Sequence, residues 1–104
     1  MTPRQLEKLA ARVAEMLDPT KLPLPPRPKV VEIRVRPYQD HQGYDAFEVW
    51  IILDESTTAE DRKAENTTAI RGVIRDTLLA ADIEEFPYTH FARRSEMEEA
   101  GLKI

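Results

Sequence analysis

Three observations predict a single α+β domain. Two segments alternate apolar and polar residues around a glycine-bearing turn, an apolar stripe at helical spacing follows directly, and a proline cluster sets this unit apart from an N-terminal amphipathic segment. As a strand, Val30 to Tyr38 puts Val31, Ile33 and Val35 on one face, and Tyr44 to Asp54 does the same with Phe47, Val49, Ile51 and Leu53. Ile70, Val73, Ile74, Thr77, Leu78 and Ala81 then recur at helical spacing, a stripe wide enough to cover that apolar floor.

The first helix starts where Thr2 can cap it, with Pro3 at the first helical position and Gln5 as the reciprocal partner of a capping box. Leu6, Leu9, Ala10, Val13, Met16 and Leu17 form its stripe, and Asp18-Pro19 stops it. Residues 2–17 are thus read as an amphipathic helix, 18–28 as a proline-rich tether and 29–104 as the sheet and helix core of one domain spanning 1–104. The tether, with Leu22-Pro23-Leu24-Pro25-Pro26-Arg27-Pro28, is biased to extended polyproline II. Its stiffness leaves the first helix three places to dock: its own sheet, a second copy or another protein.

Gln39-Asp40-His41-Gln42-Gly43 is the hairpin turn, with Gly43 where a left-handed residue is needed. Thr57 with Glu60 offers a second capping box, so the long helix is expected to begin near Thr58, with a poor apolar stripe over its first two turns. Phe86 to Ala92 reads as a third strand, placed at a sheet edge by Pro87. Ser95 with Glu98 offers a third capping box for a short C-terminal helix that Gly101 would end. The resulting order, α-β-β-α-β-α, predicts a helix-on-sheet sandwich similar in topology to ferredoxin-like and KH-like folds. Such folds host many functions, so the topology implies no activity.

At 104 residues the chain can bury roughly 65% of its unfolded surface in one core. A net charge of -4 argues against a generic nucleic-acid or anionic-membrane surface. The absence of cysteine removes disulfides, thiolate metal sites and thiol nucleophiles. Met1 leads into a charged segment with no apolar run of signal or membrane length, which predicts a cytoplasmic protein with no membrane association.

Strand alternation makes the second sheet face the candidate site. Val30, Arg34, Arg36 and Tyr38 would share it with Ala46, Glu48, Trp50, Ile52, Tyr88 and His90, a face too apolar for ordinary solvated sheet and too polar for core. It fits a protein interface covered by the first helix or a symmetry mate, with Arg34 or Arg36 pairing Glu48 across the strands. The same aromatics flanked by cations would also serve as a stacking platform for single-stranded nucleic acid.

Arg93-Arg94-Ser95, ahead of the last helix, is a candidate anion site. His41 and His90 are the only histidines and lack partners at ligand spacing, so no metal or other cofactor is expected. Asp54 and Glu55 follow a hydrophobic strand, as metal-binding carboxylates do in many nucleotidyl-transfer sites, but the glycine-serine turn that would hold the phosphates is absent and a capping role is expected instead. Ser56 and Ser95 sit at predicted helix starts rather than in a nucleophile elbow, and no catalytic residue is assigned. The expectation is a non-enzymatic protein-protein interaction module, a homodimer or a small accessory subunit of a larger bacterial-type assembly. The alternatives are single-stranded nucleic-acid binding through Trp50, Tyr88, Arg34 and Arg36, and a small-ligand or nucleotide-binding enzyme of unknown reaction.

Overall fold

The computed structural model describes residues 1–102 and contains α1 (Pro3–Met16), β1 (Val30–Gln39), β2 (Asp45–Leu53), α2 (Ala64–Ala80), β3 (Phe86–Arg93) and α3 (Arg94–Glu99). The fold is α+β in the predicted order. The sheet runs β1-β2-β3, with β1 antiparallel to β2 and β3 parallel to it. A parallel neighbour cannot be reached by a tight turn, so α2 serves as the crossover between β2 and β3.

Thr2 caps α1 as expected: its backbone N–H donates to Gln5 Oε1 at 2.8 Å and its Oγ1 accepts from the Gln5 N–H at 3.2 Å. Leu6, Ala10, Val13 and Leu17 then join Ile33, Phe47, Val49, Ile51, Leu53, Ile70, Ile74 and Leu78 in one buried cluster. Both long helices therefore cover the same sheet face, α1 over β1 and α2 over β3. Full burial of each aliphatic side chain contributes about 1.5–3 kcal/mol, which makes α1 a structural part of the core. The proline segment is correspondingly no free tether: Leu22 and Leu24 pack against the cluster and Pro28 is fully buried.

Five local expectations are corrected. Val31 does not join the floor; the β1 register slips between Val30 and Glu32, leaving Val31 45% exposed and turning Val30 toward the core opposite Leu53. One extra residue inverts the alternation on its far side. Tyr44 lies outside β2 and is exposed, because Asp40 Oδ1 accepts the backbone N–H groups of Gln42 and Tyr44 and holds both in the turn, where Gly43 has φ of 84°.

The long helix begins at Ala64, not near Thr58. Thr57 is not its cap: its hydroxyl donates to the Asp54 carbonyl, while Thr58 and Asp61 bond each other reciprocally in a separate turn. At the far end, Ala81 caps the helix and is exposed rather than lying on the buried stripe. For α3 the cap is Arg93, whose backbone N–H donates to Glu96 Oε1 at 2.8 Å, so Ser95 lies inside the helix. Gly101, at φ of 70°, follows that helix as expected.

Candidate functional site

The face opposite the helices is assembled in rows across the strands: Tyr38 beside Ala46 and Phe86, Arg36 beside Glu48 and Tyr88, Arg34 beside Trp50 and His90, Glu32 beside Ile52 and Ala92. The expected residues are thus brought together, and Ile52 is covered: Met97 of α3 packs on Ile52 and Ala92, with Trp50 against their rim. Helix α1 does not lie on this face, because it is spent on the other one.

Glu48 is the hub. Its Oε1 accepts from Arg36 Nε at 2.5 Å and from the Trp50 indole N–H at 2.9 Å, and its Oε2 lies 3.5 Å from His90 Nε2. Partial burial pushes the carboxyl upward, yet the Trp50 and Arg36 hydrogen bonds with the Arg36 and His90 charges hold it below the ordinary range. Arg34 Nε donates to Glu32, which also accepts from Arg94 Nη2 at 2.6 Å. The cations that strand alternation gathered here are therefore balanced by carboxylates of the same face.

Trp50 stacks on His90 with ring centroids 4.6 Å apart and planes 26° apart. That separation is close to the spacing between neighbouring strands, so the ring planes face along the sheet and their edges face outward. Further along, Tyr38 and Tyr88 meet edge to face at 5.5 Å, Phe86 lies 4.8 Å from Tyr88, and the Tyr88 hydroxyl donates to Asp40. Burial first, then the Asp40 charge and hydrogen bond, raises the Tyr88 hydroxyl above its ordinary pKa. The product is a strip of packed aromatic edges, partly exposed at Tyr38 and Phe86.

At Arg93-Arg94-Ser95 the donors meet the chain's own carboxylates. Ser95 donates through its backbone N–H and hydroxyl to Glu55, Arg94 pairs with Glu32, and Arg93 with Glu96. Glu96 also receives Arg62 at 2.7 Å, which ties α3 to the turn before α2. The Ser95 hydroxyl and backbone contacts hold the Glu55 carboxyl below its usual range. Asp54 accepts from the Ser56 N–H and hydroxyl, which is the turn role expected of it; it caps no helix, because α2 begins only at Ala64. Among the described residues no group of three or more His, Cys, Asp or Glu side chains could hold a metal ion, and no helix is long and apolar enough to cross a membrane.

Sequence reasoning did not single out a groove of about 480 Å³ between α2 and the outer edge of β3, lined by Arg71, Gly72, Arg75, Phe86 and Thr89 among others. The available signal was Arg71 and Arg75 four residues apart on one side of α2 with Gly72 between them, but only the strand order puts an open edge beside that side. No protein-family model, curated protein or solved structure matches the chain.

Proposed function

We propose that this chain is a non-enzymatic protein-protein interaction module of the cytosol, acting as a homodimer or as a small accessory subunit through the sheet face centred on Trp50. The observation that carries this reading is the internal charge balance of an otherwise aromatic face. Arg36 is met by Glu48 and Arg34 by Glu32, so the face offers aromatic edges within a satisfied polar frame. Interfaces favour that composition, with aromatic and Arg residues at the centre and few unpaired charges.

The same geometry weighs against a nucleic-acid platform. Base stacking needs an open ring plane, whereas one plane of Trp50 is occupied by His90 and its N–H is committed to Glu48. The absence of cysteine makes the surface indifferent to the redox state of the compartment.

Light scattering from micromolar to millimolar concentration tests the dimer directly, and a mass of 12 kDa throughout would leave only the accessory-subunit form. Titration with mixed-sequence single-stranded RNA and DNA at low salt tests the rival. Quenching of Trp50 with micromolar affinity, weakened by Arg34→Ala and by added salt, would overturn the interface reading.

A further inference from the structure

The second strand edge of the sheet carries a separate feature. The Phe91 carbonyl accepts from Arg62 Nη2 at 2.9 Å, and the Arg93 N–H donates to Glu96, so the peptide groups of these residues point away from β2. Alternation along a strand then points those of Thr89 and Pro87 the same way. Pro87 sits where its missing N–H takes nothing from the ladder to β2. Between the Pro87 ring and the Arg62 cap, the Thr89 N–H and C=O are left facing the groove with no strand neighbour among the described residues.

The groove wall on the helix side is basic. Arg71 donates from Nε to Thr89 Oγ1 at 2.9 Å and lies 5.0 Å from the Phe91 ring centroid, and Arg75 lies 5.5 Å from that of Phe86. Among the described residues no carboxylate lines this groove; Glu84 and Glu85 line an adjoining pocket that shares Arg75, Phe86 and Pro87 with it. Between the two arginines, Gly72 leaves the helix surface open, since a Cβ built there would meet nothing within 4 Å.

We propose that this edge is a docking site for an extended acidic peptide segment, which adds to the sheet beside Thr89 with carboxylate side chains between Arg71 and Arg75. An extended chain matches the free N–H and C=O of the edge, and every second side chain of such a strand faces α2. Acidic residues at those positions convert two cations now resting on aromatic rings and a hydroxyl into charge-assisted pairs. A second copy of β3 is the poorer occupant, because it would bring its own Arg71 and Arg75 toward the same groove. Phe86, Tyr88 and His90 border both this groove and the Trp50 face, but Arg71, Gly72 and Arg75 belong to the groove alone, so their substitution tests it apart from that face.

The test is fluorescence anisotropy of the full chain with a labelled peptide of alternating Glu and Val, about eight residues long to match an ordinary strand. A Lys/Val peptide and a mixed-sequence single-stranded RNA are run in parallel. The Glu/Val peptide is expected to bind, and Arg71→Glu or Arg75→Glu is expected to weaken it by about tenfold or more as a charge-assisted pair becomes a repulsive one. Gly72→Trp, which fills the groove and removes a glycine from a helix interior, is expected to abolish binding while the melting temperature holds. N-methylation of the peptide at alternate residues should abolish binding in one of the two phases only.

Amide shifts on peptide addition are expected at Thr89, Phe91 and Gly72. Preference for the RNA, equal binding of the Lys/Val peptide, indifference to Gly72→Trp, or concentration-dependent shifts at Thr89 without peptide would each overturn the proposal.

Discussion

Truncation of Trp50 separates the role of this residue in the monomer from its role in association. Within the monomer, Trp50→Ala deletes the indole bond to Glu48 at 2.9 Å and the stack on His90 at 4.6 Å. The bond to a partly solvated carboxylate is worth about 1 kcal/mol, and the ring pairing about 0.5–1.5 kcal/mol. With the lost contact to the Met97 cluster, folding stability should fall by about 2–3 kcal/mol.

Trp50→Phe keeps a ring beside His90 and gives up only the N–H, so it should cost about 1 kcal/mol. Association responds differently, because a central aromatic anchor is worth about 2 kcal/mol or more at an interface, roughly a 30-fold change in Kd. The Phe variant, which retains most of the apolar contact, should change Kd far less. Urea denaturation reads the first quantity and sedimentation equilibrium the second. Because the chain has one Trp, emission reports this face alone, and it should shift to the blue as the dimer forms. If Trp50→Ala lowers stability as reckoned and leaves the association constant untouched, the face is self-contained and the interface lies elsewhere.

Leu17→Ala should cost about 2–5 kcal/mol by thermal or urea unfolding, since Leu17 is fully buried against the sheet; a first helix reserved for a partner would leave the melting temperature unchanged. Acid should destabilise the fold. The Arg93 backbone N–H, against partial burial and with Arg62, holds Glu96 below the ordinary carboxylate range, and Glu48 is also lowered. The unfolded chain therefore binds more protons, and this stability, full above a pH of about 4.3, is lost as pH falls through the folded-state values. Differential scanning calorimetry between pH 7 and pH 2, taken as about the span of carboxylate titration, should show a falling Tm, and Glu96→Gln should flatten it. Chelator dialysis should leave Tm unmoved; a stoichiometric transition metal surviving it, measured by elemental analysis, would direct attention to His41, His90 and Asp40.

Features that depend on local chemistry were legible along the chain. Thr2-Pro3 with Gln5 begins a helix in any surroundings, because the cap bonds span three residues. Gly43 marks the left-handed turn position, and alternation in Asp45–Leu53 sorts Phe47, Val49 and Ile51 from Glu48 and Trp50, so the β2 members of the Trp50 face were legible in the sequence, whereas Val30, expected beside them, turns to the opposite core.

What failed locally failed for a tertiary reason. A bulge at Val31 leaves no mark in an apolar Val30-Val31 pair, and Thr58 looks like a helix start until Asp61 closes a separate turn upon it. The remaining features emerge from the assembled fold: α1 docks in cis beside α2, α3 covers Ile52, and β3 runs parallel at an open edge with Arg71 and Arg75 beside it. These outcomes depend on strand order and on which layer claims each apolar stripe, a competition among distant segments that no local spacing encodes.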